Sequence, residues 1–474
     1  MKGLPHIKKI LQHTVVKNFS YITMASILTQ LFALLSNVKI IRLLGPENYG
    51  IYAFVLSQYL LFSTISTFGI RNIQIKRIAV DSSNTKNIFF SALIIQSLGL
   101  IISLTFFFMY DFFIGSNCSN YLFLFISCII LNNIWDICES IWYGYQKMLI
   151  PSLINIGNSL IWVIVILVLP SHQFTINTLL AIFAFLFLIK VSVSVFFIFY
   201  RKMLQGVIHN IFKEVILLVK NSLPLYLNIL VTLPTNYLSN NFLEIRSSES
   251  QLGYFNANNK LIHPITTAIN LTVTAIFPRL SQLWQKDKDS FFEKIQTGLS
   301  VFIVIFSLLA TIVSLFKLEL VEILFGEDFT PVANIIMYQV WFIVIFGING
   351  ITGMIWVSID KQALVAKYGI LNSIIATPLL WIGSSYGAEG LSICYLLAYM
   401  LFFPILWYKF NKTTYNKIRL RKEFVCFIVL MLFSLLSKEF PLSGRILSLI
   451  VIFVTLYVLF RKSFIRLLKN EAGS

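Results

Sequence analysis

The sequence predicts an all-α integral membrane protein with about fourteen transmembrane helices. Hydrophobic residues make up 57% of its 474 residues, and charged residues make up only 12%. Soluble domains have about 45–50% apolar and about 25% charged residues. The mean hydropathy is +0.81, and basic residues lie in short clusters between long apolar segments. This composition excludes an ordinary soluble enzyme, and 44 Phe exclude a disordered or fibrous chain.

Fourteen apolar segments are candidates for transmembrane helices. A helix needs about 20 mostly apolar residues to cross the hydrocarbon core, and the last two segments are short by this measure. The predicted spans are 18–38, 50–70, 88–110, 121–141, 151–169, 178–200, 221–243, 253–277, 295–316, 332–358, 368–384, 390–408, 424–437 and 446–460.

The distribution of Lys and Arg predicts the orientation. Most of the 37 basic residues fall in segments that alternating spans place on one side, including 1–17, 201–220, 409–422 and 461–474. Basic loops stay in the cytoplasm, so both termini are predicted to be cytoplasmic. The same clustering accounts for the net charge of +17 without a nucleic-acid partner. The first 17 residues lack the apolar core of a cleavable signal peptide.

Catalytic and metal-binding motifs are missing from the sequence. It contains no glycine-rich phosphate loop, no metal-binding His–Glu helix and no serine-nucleophile turn. Its five cysteines have no metal-ligand spacing. No connecting segment is long enough to form a separate catalytic domain. We therefore expect a transporter rather than an enzyme, with no ATP site and no cofactor, driven by a proton or sodium gradient if it is coupled at all.

A weak internal repeat suggests two similar halves. Lys17–Asn18 and Lys220–Asn221 open the first and seventh spans, and 50–52 and 253–255 open the second and eighth. Both pairs are offset by 203 residues. Six spans separate the matches, so the halves run in the same direction, as in parallel transporter repeats. Chance similarity between apolar helices is the alternative.

The sequence divides into seven predicted segments. They are a cytoplasmic N-terminus (1–17), a six-helix lobe (18–200), a cytoplasmic linker (201–220), a second six-helix lobe (221–408), a basic cytoplasmic loop (409–422), two extra helices (423–460) and a cytoplasmic tail (461–474).

Polar residues recur along one face of the eighth predicted span. Their spacings of three or four residues keep them on a common helical face. Such a stripe cannot face lipid, because unpaired polar groups are costly there. Either it joins two helices by hydrogen bonds or it lines a hydrated cavity. Lys260 favours the cavity, since a lysine inside a span usually marks a functional site. The stripe consists of Asn256, Lys260, His263, Thr267, Asn270 and Thr274.

Other spans of each half carry similar polar faces. The first span includes Asn37, Arg71 directly follows the second, and the seventh includes Asn228. The last two spans have only a few hydroxyl groups and no internal charge. The first two helices of each half are therefore predicted to face water, and the final pair is predicted to lie in lipid.

Three further charges lie within predicted spans. Asp136 and Glu139 are three residues apart in the fourth span and share a face, and Lys190 lies in the sixth. One interpretation is a structural ion pair with Lys190. The other is that a carboxylate couples transport to protons.

Several segments resemble the signature of bacterial polysaccharide transporters. Segment 43–52 (Leu-Leu-Gly-Pro-Glu-Asn-Tyr-Gly-Ile-Tyr) resembles the motif that leads into their second helix. Segments 253–261, 277–280 and 324–329 resemble their eighth helix, its cytoplasmic end and an external loop. On these motifs, the chain is similar to the Wzx-type O-antigen flippases of the multidrug/oligosaccharidyl-lipid/polysaccharide (MOP) exporter superfamily.

The resemblance implies both a fold and a substrate. It implies two six-helix lobes around a central cavity, walled mainly by helices one, two, seven and eight, plus two C-terminal helices. It implies a flippase of the bacterial inner membrane that moves undecaprenyl-diphosphate-linked oligosaccharides of O-antigen or capsule from the cytoplasmic to the periplasmic leaflet by alternating access. An O-antigen polymerase and a chain-length regulator are the implied protein partners.

The predicted binding residues follow from the chemistry of this substrate. Lys260, Arg71 and Arg279 suit the diphosphate, because their cationic donors form charge-assisted hydrogen bonds. Amide side chains suit sugar hydroxyls, because an amide both donates and accepts. The candidate residues for sugar contacts are Asn256, His263, Asn270, Asn37 and Asn228.

Three alternative functions fit the sequence less well. A multidrug or cation exporter of the same superfamily needs carboxylates in its cavity, and the first, second, seventh and eighth spans have none between their ends. A membrane-embedded O-antigen polymerase needs a long external loop. A flippase for peptidoglycan precursors is disfavoured because the cavity-facing spans contain few arginines.

Overall fold

The computed structural model describes residues 4–115, 117–415, 418–436 and 440–471, which form α-helices joined by short turns and 3₁₀ segments, without a β-strand in these ranges. The all-α membrane fold predicted from hydropathy is confirmed. The helices are α1 (Leu4–Ser66), α2 (Arg71–Val80), α3 (Thr85–Ile114), α4 (Leu122–Gly144), α5 (Leu149–Val168), α6 (Ile176–Tyr200), α7 (Ile211–Asn236), α8 (Leu238–Arg246), α9 (Glu249–Lys286), α10 (Lys288–Leu315), α11 (Lys317–Phe325), α12 (Val332–Ser358), α13 (Gln362–Ser384), α14 (Gly387–Thr413), α15 (Arg421–Leu436) and α16 (Leu442–Glu471).

Most predicted spans fall on one helix, and the seventh, 221–243, crosses from α7 into α8. Eleven helical runs among the described residues are long and apolar enough to cross a membrane. One of them, Ser20–Ser66, covers most of the first two predicted spans. The remaining two spans are α9, whose polar stripe lowers its hydropathy, and α15, which has 16 residues. The chain is thus a multi-pass membrane protein, and about fourteen spans agree with its helices.

The boundary between the first two spans is a kink rather than a loop. Gly45 lies inside α1 with φ 70° and ψ 174°, a backbone conformation that strongly favours glycine. Pro46 follows it and cannot donate a helical hydrogen bond. The Gly-Pro pair of the family-like motif therefore redirects the chain from the first span into the second.

The chain packs as two compact units, Met1–Gly253 and Tyr254–Ser474. The division falls inside α9, so the seventh predicted span packs within the first unit. The predicted lobes 18–200 and 221–408 have boundaries taken from the internal repeat, which differ from the boundary between the two packed units. The lobes remain a prediction.

A matching hydrogen bond occurs in both units. In the first, Nε1 of the buried Trp142 on α4 donates to Oγ of Ser194 on α6 at 2.9 Å. In the second, Nε1 of the buried Trp356 on α12 donates to Oγ1 of Thr413 on α14, also at 2.9 Å. These helices are the fourth, sixth, tenth and twelfth predicted spans, so the two contacts occupy equivalent places in the proposed repeat.

The turn between α9 and α10 is fixed by a helix cap. The carboxylate of Asp287 accepts hydrogen bonds from the hydroxyl and backbone N–H of Ser290, at 2.6 and 3.0 Å, and from the N–H of Asp289 at 3.1 Å. The hydrogen bonds from Ser290 hold the pKa of Asp287 below its ordinary value. This cap ends the helix that carries the polar stripe and starts the next one.

Candidate functional site

The polar stripe of α9 lies away from the core of the second unit. Ile262 and Ile269, on the apolar face of the helix, are buried in that core. On the stripe, Asn256 is buried, Lys260 is half-buried, and His263 and Asn270 are exposed. Exposure of the last two argues against the interpretation that the stripe only joins packed helices. It is the arrangement expected if the stripe borders water.

Lys260 has no partner among the described residues, neither in an ion pair nor in a hydrogen bond. The only carboxylate in α9, Glu249, lies eleven residues earlier, about 16 Å along the helix axis. Pro264 lies four residues after Lys260 and has no N–H, so the backbone carbonyl of Lys260 lacks its usual helical partner. An ammonium donor and a carbonyl acceptor are therefore both available at one position.

A second charged group, in the first unit, is fully paired. The guanidinium of Arg71 contacts Asp136 at 3.1 Å and Glu139 at 2.5 Å. Nε2 of Gln96 donates to the second oxygen of Asp136 at 3.2 Å. The side chains of the two carboxylates are only 11% and 8% exposed, whereas that of Arg71 is 37% exposed. We name Arg71, Asp136 and Glu139 the ionic triad.

The ionic triad corrects the sequence-based ion pair. Asp136 and Glu139 do form an ion pair, but their partner is Arg71, so the predicted pairing with Lys190 is wrong. The ammonium of Lys190 instead lies over the ring of Trp135, 3.8 Å from its centroid. Arg71 begins α2, which packs against α4, so its guanidinium reaches both carboxylates. Lys190 approaches α4 over the ring of Trp135 instead. The same contacts weaken the assignment of Arg71 to the diphosphate, because its charge is already neutralised.

The structure describes the side chain of one of the three remaining predicted binding residues. Nδ2 of Asn37 donates to the carbonyl of Ala33 at 2.6 Å, so its amide is used within its own helix. The side chains of Asn228 and Arg279 lie outside the described part of the structure. Asn37 and Asn228 belong to the first unit, and Arg279 belongs to the second with the stripe.

A polar pocket of about 310 Å³ lies in the first unit between α1, α4, α5 and α6. Glu139 and Lys190 reach it from α4 and α6. The sequence analysis missed this pocket, although Asn158-Ser159 and Asn372-Ser373 recur at equivalent places in the repeat. Its hydroxyl and amide lining comes from Ser26, Thr29, Ser152, Asn155, Asn158 and Ser159.

An apolar groove of about 380 Å³ lies in the second unit along α9, α10 and α12. It begins two turns beyond Lys260 on α9, at Ala268, and reaches Leu283. Lys294 of α10 is the charged residue in its lining. A groove of this kind is suited to a hydrocarbon chain.

Two family-like motifs meet in the first unit. A Cβ atom added to Gly50 would lie 1.9 Å from the carbonyl oxygen of Glu249, and one added to Gly253 would lie 2.0 Å from that of Pro46. Only glycine allows the backbones of α1 and α9 to approach this closely. The motif glycines are therefore explained by a helix crossing at the start of the helix that carries Lys260.

Comparison with protein families gives a clear assignment. A family model described as "Polysaccharide biosynthesis protein" matches residues 15–284, more than half of the chain. The chain belongs to this family. The matched region includes the ionic triad, the polar pocket and the whole stripe of α9. None of the curated proteins compared with the sequence matches it significantly.

Solved structures share the fold at low sequence identity. The structure of "Lipid II flippase MurJ, inward closed conformation" has a TM-score of 0.73 and 14% identity, and the match covers 94% of this chain and 99% of that one. An inward-facing multidrug resistance MATE family transporter of the MOP superfamily has a TM-score of 0.66 and 12% identity, covering 82% and 95%. The Vibrio cholerae MATE transporter VcmN in its bent form has a TM-score of 0.53 and 14% identity, covering 85% and 99%. This chain thus shares the fold of these solved transporters.

Proposed function

We propose that this protein is a flippase for undecaprenyl-diphosphate-linked oligosaccharides of an O-antigen or capsule pathway. The observation that carries the proposal is Lys260, a cation inside a membrane helix with no partner among the described residues. A charge in this position is unfavourable by about 2.5–3.5 kcal/mol on insertion scales. Hydration of the stripe lowers that cost, and an arriving diphosphate offsets it further.

The rest of α9 supports the same substrate. Asn256, His263 and Asn270 flank Lys260 on its face and offer donors and acceptors to sugar hydroxyls. The apolar groove begins two turns away on the same helix and suits part of the lipid chain. The family and the fold shared with a lipid II flippase agree with a lipid-linked substrate, while a serine, metal or phosphate-loop chemistry has no motif in the sequence.

The multidrug or cation exporter is the second candidate, because the MATE transporters share the fold. Cation binding needs a carboxylate that is free to meet the ligand. In the structure Arg71 pairs with both carboxylates of the ionic triad, and the stripe of α9 carries the cation Lys260 instead of a carboxylate, which favours the flippase.

The proposed membrane arrangement places both termini in the cytoplasm of a bacterial inner membrane. In a cysteine-free background, Ser82→Cys and Asp287→Cys should react with an impermeant thiol reagent only from the cytoplasmic side, and Asp328→Cys only from outside. All three positions are exposed. Labelling of Ser82→Cys from outside would overturn the orientation.

Transport energy is proposed to come from a proton or sodium gradient. Glu139 is the candidate coupling group, because it lines the polar pocket as well as pairing with Arg71. Asp136 is not among the pocket-lining residues, and it accepts a second hydrogen bond from Gln96. A polymerase and a chain-length regulator are proposed to act on the exported product.

Complementation in the native host tests the proposal. The gene is deleted, and surface polysaccharide is measured after return of the wild type, Lys260→Ala, Lys260→Arg or the control Lys361→Ala, which removes a charge from an exposed turn. We expect the wild type and the control to restore export, the alanine variant to lose it while reaching the membrane, and the arginine variant to keep part of it. Full activity of Lys260→Ala at native expression would refute the role of Lys260.

A further inference from the structure

We propose that the polar pocket of the first unit binds one neutral pyranose ring of the transported head group. This inference rests on the proposed flippase function and adds to it a sugar subsite that is separate from the Lys260 stripe. The site is built by α5 with contributions from α1, α4 and α6.

The first observation is that polar groups in the pocket lack partners. Among the described residues, the side chains of Asn155 and Asn158 form no hydrogen bond, although both are half-buried inside a membrane span. Unpaired amides inside a membrane span are costly unless water or a ligand reaches them, and both amides line the pocket. Each amide offers donors and acceptors, which is what a ring carrying adjacent hydroxyls requires.

The second observation is the geometry of the lining. Ser152, Asn155 and Ser159 are spaced three and four residues apart, so they lie on one face of α5. α1 packs against α5, and Thr29 faces the same pocket. The hydroxyl of Thr29 donates to the carbonyls of Ala25 and Ser26 at 2.8 and 3.0 Å, which leaves its oxygen free to accept. The pocket therefore presents polar groups from two helices to whatever occupies it.

The third observation is the size and the wall of the pocket. Its volume of about 310 Å³ is at the lower end of small-molecule sites, which span roughly 300–1,000 Å³. That space suits one sugar ring, not a whole repeat unit. Tyr143 adds an aromatic side chain to the lining, and aromatic rings offer an apolar surface beside a polar tip. The C–H face of a pyranose matches such a surface.

The charges around the pocket balance, which suits a neutral ring. Arg71 and Lys190 supply two positive charges, and Asp136 and Glu139 supply two negative ones, so the formal sum is zero. Arg71 is bound to both carboxylates. The pocket therefore has no net positive charge that would attract a uronic acid. It also has no net negative charge that would attract a cationic sugar. Binding here depends on hydrogen bonds, in contrast to the charge-based contact at Lys260.

The alternative occupant is water alone, which would make the pocket a hydrated route to Glu139. A water route and a sugar subsite lead to different expected activities for variants of Asn155. A water route tolerates any small polar residue, so Asn155→Ser would keep full activity. A sugar subsite needs the reach and paired donor and acceptor of the amide, so Asn155→Ser would lose activity as Asn155→Ala does.

The test measures surface polysaccharide in the deletion host carrying Asn155→Ala, Asn155→Ser or Asn155→Ala with Asn158→Ala. Leu153→Ala, on the exposed face of the same helix, is the matched control. Each lost neutral hydrogen bond should reduce substrate binding by roughly fivefold, so we expect the double variant to export roughly 25-fold less at limiting substrate. The control should match the wild type.

A second measurement separates binding from folding. In a cysteine-free background, Ser159→Cys is treated with N-ethylmaleimide in membranes from cells that make the lipid-linked oligosaccharide and from cells that lack its first glycosyltransferase. We expect the substrate to suppress labelling. Equal labelling rates, or full export by the double variant, would overturn the subsite and leave the flippase assignment intact. If the wild type itself fails to restore export, the flippase assignment falls, and the subsite with it.

Discussion

The ionic triad and the stripe of α9 are two ways of keeping charge inside a membrane protein. In the triad, Arg71 meets two carboxylates that are almost fully buried, and the charges largely satisfy one another. On α9, Lys260 is half-buried, has no partner among the described residues and lies beside exposed polar side chains. The first arrangement is suited to holding helices together. The second leaves a charge available to a ligand, so the two cations should respond differently to substitution.

The largest expected effect is the loss of stability on Arg71→Ala. Removing one partner of a buried ion pair leaves an uncompensated charge, which costs about 3–5 kcal/mol. We expect the low end, about 3 kcal/mol, because the guanidinium is partly exposed. Thermal unfolding of the detergent-purified variants measures the effect. Lys260→Ala is the matched comparison and should unfold near the wild-type temperature, and equal stability of both variants would break the distinction between paired and unpaired cations.

A smaller loss of stability is expected at the crossing that positions the start of α9. Gly50→Ala and Gly253→Ala each place a methyl group about 2 Å from a backbone oxygen, so the helices must separate. Overpacking of this kind costs about 1–3 kcal/mol. Gly298→Ala, where no atom lies within 4 Å of the added carbon, is the control in the same unfolding assay. Wild-type behaviour of both crossing variants would show that the approach of α1 and α9 is not constrained.

The smallest structural effect is expected from neutralising one carboxylate of the triad. Asp136→Asn keeps the shape of the side chain, and Arg71 still meets Glu139, so we expect about 1 kcal/mol of destabilisation and largely retained export. Glu139→Gln should fold equally well but lose gradient-driven export, because Glu139 alone of the two lines the pocket. Export is compared with and without a protonophore. If both amide variants export like the wild type, the triad is structural only.

The two charged regions also show what the sequence could and could not reveal. Apolar runs were enough to predict the membrane helices, since hydropathy acts locally along the chain. The stripe of α9 was equally visible, because a single helix determines which residues share a face. The partner of Asp136 and Glu139 could not be predicted, because the sequence allowed several pairings for these charges. Only the packing of α2 against α4 selects Arg71.

The polar pocket illustrates the same limit. Asn155 and Asn158 look like ordinary polar residues of the fifth span until α1, α4 and α6 enclose them. The glycines at 50 and 253 were visible as a repeated motif, whereas their mutual approach required the backbones of both helices. Features that depend on one element were predictable, and features shared between elements that are distant in sequence needed the structure.

Binding of undecaprenyl diphosphate to the purified protein tests most directly whether Lys260 is the contact for the anionic head group. The wild type, Lys260→Ala, Lys260→Arg and Lys361→Ala are compared by native mass spectrometry in the same detergent. A charge-assisted hydrogen bond contributes about 1.5–3 kcal/mol, so Lys260→Ala should weaken binding by roughly tenfold to a hundredfold. Lys260→Arg should retain part of the affinity, and Lys361→Ala should retain all of it. Equal affinity of the wild type and Lys260→Ala would contradict the account and return Lys260 to a structural role.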